Sequence, residues 1–218
     1  MKTLRRIVTA LTGVALVGWL GDKVWDRAFA LVDTTPVELT DTEGCVQRGK
    51  RVRVRSVFDA PPDAVWARVT TPALLTYITY PLLSFRRQNG EPLPEVWREG
   101  DSLHLNLVGL GCIPLGSHTI RAERIDAERR EIQSRESGRM AEIWWHFIAV
   151  DDYTGGRTLY TDEIDIYAGP LTGVVAAFAR FFYRYRQTRW RRVIGHIQQQ
   201  PYEIAGVRAG SHPIEGSR

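Results

Sequence analysis

The chain has 218 residues, 44% of them hydrophobic and 25% charged, an ordinary balance for a soluble globular protein. That length allows one domain with additional segments and ample mass for a single core. The net charge is +4 at pH 7, and the two cysteines, Cys45 and Cys112, are too far apart to form a metal-ligand pair.

Residues 1–32 form an N-terminal segment of their own. Lys2, Arg5 and Arg6 precede the apolar run Ile7 to Leu20, a basic region followed by a stretch of signal-peptide length. The run covers about 21 Å as a helix, short of the ~30 Å hydrocarbon core. Three alternatives stand: an uncleaved membrane anchor, a signal cleaved near Ala28-Phe29-Ala30, or a buried or partner-binding helix. The basic flank would place an anchored domain outside the cytoplasm, the alternative being a cytoplasmic protein. A membrane surface is thus an expected partner.

Residues 33–49 read as a linker, with a proline, acidic residues and no sustained period. The domain is expected over residues 50–200. Lys50 to Phe58 alternates, with Val52, Val54, Ser56 and Phe58 on one face and Arg51, Arg53 and Arg55 on the other, as in a strand with one dry and one wet side. Two short helices follow, Ala64 to Val69 after Ala60-Pro61-Pro62-Asp63 and Leu74 to Tyr80 before Pro81. From Leu83 to Tyr167 the chain reads as five or six antiparallel strands broken by glycine-containing turns.

A long helix is predicted from Pro170 to about Gln200, roughly 45 Å at 1.5 Å per residue. Leu171, Val174, Val175, Phe178, Phe182, Tyr185 and Val193 fall in one stripe, with Arg180, Arg184, Gln187 and Arg191 opposite. Arg189 interrupts the stripe at its centre, so a buried acidic partner is expected for it. The arginine-rich end of this helix reads as a solvated face, with attraction to anionic lipid or to nucleic acid as the alternatives; on balance no nucleic acid partner is expected. Residues 201–218 read as a loose tail.

The order strand, two short helices, antiparallel strands, long helix resembles the helix-grip superfamily of START domains, polyketide cyclases/dehydrases and lipid-transport proteins. The residues that carry the resemblance are VRSVFDAPPDAVWARVTTP, the central GxxxP with PLGSHTI, and TLYTDEIDIYAGPLTGVVAAF. It implies an α+β fold in which a curved antiparallel sheet wraps the long C-terminal helix, leaving a cavity often used for an apolar ligand.

Hairpin register suggests what faces such a cavity. A tight turn at Tyr153 to Gly156 would pair His146 with Asp162, Trp144 with Ile164 and Ile148 with Tyr160. The neighbouring hairpin would pair His118 with Gly138, Ile120 with Glu136 and Ala122 with Ser134. The candidate ligand-binding residues are His118, Glu136, Trp144, His146, Tyr160 and Asp162 from strands, with Phe178, Phe182, Tyr185 and Arg189 from the helix. His146, Asp162 and Arg189 are the candidate catalytic residues.

This polar set admits three readings: a satisfied interior network, a patch that orients a ligand headgroup, or a general base with an oxyanion-stabilising arginine. No phosphate loop, nucleophile elbow or zinc motif occurs, and neither a cofactor nor a metal is expected. The leading expectation is binding or transport of an apolar small molecule, lipid or isoprenoid-like. The alternatives are a cyclase/dehydrase-type enzyme and a membrane-tethered interaction module.

Overall fold

A computed structural model describes residues 31–199. The expected membrane segment, save its last two residues, and the expected tail lie outside that range. Among the described residues eleven elements run in order. They are β1 (Leu31–Thr40), β2 (Val46–Phe58), α1 (Pro62–Val69), α2 (Pro72–Thr79), β3 (Leu83–Arg87), β4 (Ser102–Gly109), β5 (Ile113–Asp126), β6 (Glu131–Gly138), β7 (Ala141–Tyr153), β8 (Arg157–Tyr167) and α3 (Thr172–Gln199). The strands form one antiparallel sheet in the order β1-β2-β8-β7-β6-β5-β4-β3. The sheet, α3 and the two short helices make the expected helix-grip architecture.

Period-two patterning decides which face of the sheet is dry. In β2, Val52, Val54, Ser56 and Phe58 are buried. On the opposite face Arg51 donates to Asp165 through Nε and Nη2 at 2.7 and 2.8 Å, and Arg53 donates to Glu163 at 2.7 Å. These arginines face their carboxylates across the β2–β8 register. Being part-exposed, such pairs specify register more than they stabilise. The short helices start on prolines, Pro62 and Pro72, whose missing N–H is harmless in a first turn.

Residues 33–49 are not a linker. Most of them belong to β1 and the start of β2, which form a hairpin at the sheet edge. The alternation that would reveal β1 is absent because only Leu39 in it is buried, and an edge position tolerates Pro36. Gly49 is the point of closest approach: a Cβ there would stand 2.6 Å from both the Ile166 carbonyl oxygen and Leu39 Cδ1.

The β5–β6 register is the expected one, with His118 opposite Gly138, Ile120 opposite Glu136 and Ala122 opposite Ser134. The β7–β8 register is displaced by two residues, so that His146 faces Ile164, Ile148 faces Asp162 and Val150 faces Tyr160. Gly155 and Gly156, at φ +76 and +70, lengthen the turn so that pairing begins at Tyr153–Arg157. A shift of two preserves the face of every side chain, whereas a shift of one would invert it.

The helix α3 is turned from its expected orientation by somewhat less than one residue's ~100°. Its buried residues include Val175, Ala179, Phe182, Tyr183, Arg186, Gln187, Trp190 and Ile194. Val174 is exposed and Arg189 is only half-buried. The reason is that α3 packs on two sides, against the sheet and against α2. Gln187 and Arg184, expected in solvent, are therefore buried. The core divides into a group around Val52, Ile164, Ile166 and Phe182, a second around Phe58, Tyr160 and Trp190, and a smaller third around Leu103, Leu105 and Ile120, and it is the first two that flank the site. Between these two groups, polar side chains come together.

Candidate ligand cavity and its polar network

A cavity of about 100 Å³ lies between the inner face of the sheet, the short helices and α3. Its walls are mainly apolar: Leu74 and Ile78 from α2, Ile120, Ile132 and Ile148 from the strands, Phe178 and Phe182 from α3, and Trp97 and Trp144. One end is polar, where His118, Ser134, Glu136, His146, Tyr183 and Arg186 reach the lining. These residues converge because β5, β6 and β7 are adjacent and all contribute their inward positions there.

The network begins at His118, whose Nε2 is 2.9 Å from Glu136 Oε2. The Ser134 hydroxyl donates to Glu136 Oε1 at 2.7 Å. His146 Nδ1 lies 3.8 Å from the same oxygen, an ion-pair distance. On its other side, His146 Nε2 is 2.8 Å from Asp162 Oδ1. The two residues are diagonal neighbours across β7 and β8, within reach on one face. Asp162 also accepts from Gln187 Nε2 at 3.0 Å and from the Tyr160 hydroxyl at 3.4 Å. Gln187 is itself held by the Ser56 hydroxyl at 2.7 Å and donates to the Val54 carbonyl at 2.9 Å.

Electrostatics favour the charged forms of Glu136, His146 and Asp162. Burial alone would raise the Glu136 carboxyl, but interactions with His118 and His146 outweigh it and hold the group well below the carboxylate range. Asp162 is likewise held down, because the Arg186 charge and the His146 hydrogen bond overcome its burial. Burial opposes the His146 imidazolium, yet Asp162 and Glu136 together raise it above the ordinary histidine value. Burial drives the Tyr160 and Tyr183 hydroxyls up, so both remain neutral, Tyr160 donating to Asp162 and Tyr183 accepting from Trp144 Nε1.

Of the expected site residues, His118, Glu136, Trp144, His146, Phe178 and Phe182 line the cavity. Tyr160 and Asp162 are fully buried behind that lining. Tyr185 and Arg189 are elsewhere. The Tyr185 hydroxyl donates to the Tyr80 carbonyl at 2.6 Å. Arg189 donates to the Tyr77 carbonyl at 3.0 Å and stacks its guanidinium 4.5 Å from the Tyr77 ring centre. The expected pairing of Arg189 with Asp162 or Glu136 is therefore corrected. The arginine that faces Asp162 is Arg186, with Nη2 3.9 Å from Oδ1, because the turned helix points Arg186 inward and Arg189 toward α2.

Sequence reasoning missed Arg186, Gln187, Tyr183 and Ser134. Tyr183, Arg186, Gln187 and Trp190 stand at i, i+3, i+4 and i+7, which is core spacing in its own right. His104 is exposed, as expected, and the side chain of His196 lies outside the described residues. Cys45 and Cys112 are exposed free thiols. Among the described residues, no group of three His, Cys, Asp or Glu side chains is arranged to hold a metal ion.

These features define a helix-grip domain, the fold of START domains and polyketide cyclases, with an apolar cavity closed by a buried ionic network. The chain belongs to the family described as a domain of unknown function (DUF8410), whose pattern matches residues 56–194. Among solved structures it is similar to a Rhodobacter sphaeroides protein at 18% identity and TM-score 0.51, over 77% of this chain and 99% of the other. A Chromobacterium violaceum protein matches at 13% identity and TM-score 0.51, over 66% and 96%. Ara h 8.0201 matches at 13% identity and TM-score 0.50, over 78% and 100%. At these identities the likeness concerns the fold. No curated protein matches the sequence.

Proposed function

We propose that this domain binds a small, mainly apolar organic molecule between the sheet and α3, as a carrier or sensor of that molecule. The observation that carries the reading is a cavity of about 100 Å³ walled mainly by apolar side chains, with its buried polar groups gathered at one end. That volume is below the ~300–1,000 Å³ of sites for drug-sized molecules. It favours a ring-sized molecule over a full-length lipid or isoprenoid.

An acid–base enzyme of the cyclase or dehydrase kind is the second reading, favoured by the contact of Glu136, His118 and His146 with the cavity. The charge states weigh against it. A general base works best with a pKa near the operating pH, whereas the Glu136 and Asp162 carboxyls are held below their ordinary values by their partners. A cavity also weighs against a module acting through its surface alone, for which a filled core would suffice.

Native mass spectrometry of the full chain, followed by solvent extraction, tests the proposal. The expected result is a bound small molecule that leaves with the organic phase. Protein that stays at its bare mass, and takes up no ring-sized apolar compound when supplied, would count against it.

A further inference from the structure

Arg186 is the one ion of the network whose hydrogen-bonding needs the protein leaves open. It is 5% exposed and lines the cavity. Among the described residues its buried Nε has no hydrogen-bond partner. Its contact with Asp162 is 3.9 Å, too long for a hydrogen bond. Aromatic faces flank it, Tyr183 at 4.5 Å and Phe182 at 5.9 Å from the ring centres. Neither network carboxylate is idle. Asp162 accepts from Gln187 and Tyr160 and contacts His146, while Glu136 accepts from Ser134 and contacts His118. Burying a guanidinium without acceptors is costly, and charges kept inside a protein are normally hydrogen-bonded.

We propose that the missing acceptor comes with the ligand: the site takes a ring-sized apolar molecule bearing a carbonyl oxygen that faces Arg186. This rests on the cavity being a ligand site, as argued above. Charge decides between the two common oxygen acceptors. Two carboxylates, Asp162 and Glu136, already share this end of the site with one permanent cation, Arg186. A ligand carboxylate would add an unbalanced buried charge, whereas a neutral carbonyl adds none. Phe182 and Tyr183, beside the guanidinium, would flank the carbonyl-bearing ring.

The test uses three ring-sized probes, ethylbenzene, acetophenone and benzoate, titrated into the full chain by calorimetry. Acetophenone is expected to bind roughly ten- to a hundredfold tighter than ethylbenzene, the range for a hydrogen bond to a charged group. Arg186→Gln, whose amide can still donate but carries no charge, is expected to cut that preference to a few fold. Should Arg186→Gln not fold, the carbonyl stretch of acetophenone bound to the unaltered protein supplies the same information. A stretch moved below its value in hydrocarbon solvent supports donation from Arg186, and an unmoved one overturns it. Equal binding of ethylbenzene and acetophenone overturns the carbonyl assignment and leaves the apolar-ligand reading standing. Tighter binding of benzoate overturns the neutral-acceptor assignment. Failure of all three to bind removes both the inference and the reading beneath it.

Discussion

Asp162 and Arg189 show how little a residue's type says about its energetic weight. Asp162 is fully buried, and its carboxylate meets His146, Gln187 and Arg186. Asp162→Asn removes the carboxylate charge 3.9 Å from the Arg186 guanidinium and leaves that buried cation under-compensated. The expected loss is about 3–5 kcal/mol. Arg189 caps the Tyr77 carbonyl from a half-exposed position. Arg189→Met should cost only about 0.5–1 kcal/mol, the worth of an exposed cation–ring contact. Urea titrations of the two variants measure the contrast, and similar losses would show that the wrong arginine has been assigned to the network. The same groups set a pH dependence. His146 is raised above 6.5, so its contribution is complete below 6.5 and disappears as pH rises through its folded value. Glu136 and Asp162 are depressed from 4.5 and 3.8, so their contribution is complete above those values and disappears as pH falls through the folded ones. Stability measured by denaturant midpoint should therefore be highest between about pH 4.5 and 6.5, and Asp162→Asn should lessen the decline on both sides.

Two turns and a crossing decide how the elements present those residues. Gly138 stands opposite His118, and a Cβ there would come within 2.6 Å of the Ser117 carbonyl oxygen and 2.9 Å of His118 Nδ1. Gly138→Ala must push β5 away or swing the imidazole off Glu136. A destabilisation of about 1–3 kcal/mol is expected, as for overpacking elsewhere, with a changed His118 ring resonance in an NMR spectrum. Retention of both stability and that resonance would mean the strand yields without disturbing the site. In the β4–β5 turn, Leu110 adopts φ +49 while 51% exposed. Glycine would relieve about 1–2 kcal/mol of left-handed strain against about 0.5–1 kcal/mol of added backbone entropy. Leu110→Gly is thus expected to be neutral to stabilising by up to about 1 kcal/mol, read from the thermal midpoint.

At the scale of the whole molecule, the site is a seam between the two larger groups of the core, crossed by α3. Membrane attachment belongs to this scale too. No helix among the described residues is long and apolar enough to cross a membrane, so attachment through the N-terminal segment is proposed from residues 1–30 alone. Full-length protein is expected in the membrane pellet, and a chain beginning near Leu31, which keeps β1 and the intact sheet, in the soluble fraction. Equal partition of the two would sink the anchor.

Periodicity alone determined the strand that opens with Val52 and Val54, the proline-led short helices, the β5–β6 register and the long terminal helix, because each is written in nearest-neighbour chemistry. It also placed His118, Glu136, His146 and Asp162 on the inner face, and that placement survived a two-residue error in register because strand faces repeat every second residue. What the tertiary structure alone decided is the phase of α3 and the existence of β1. A helix buried against both a sheet and α2 has no single apolar stripe, so hydrophobicity could not choose between Arg189 and Arg186. An edge strand with one buried side chain, Leu39, carries no alternation to read, so β1 is recognisable only by its pairing with β2.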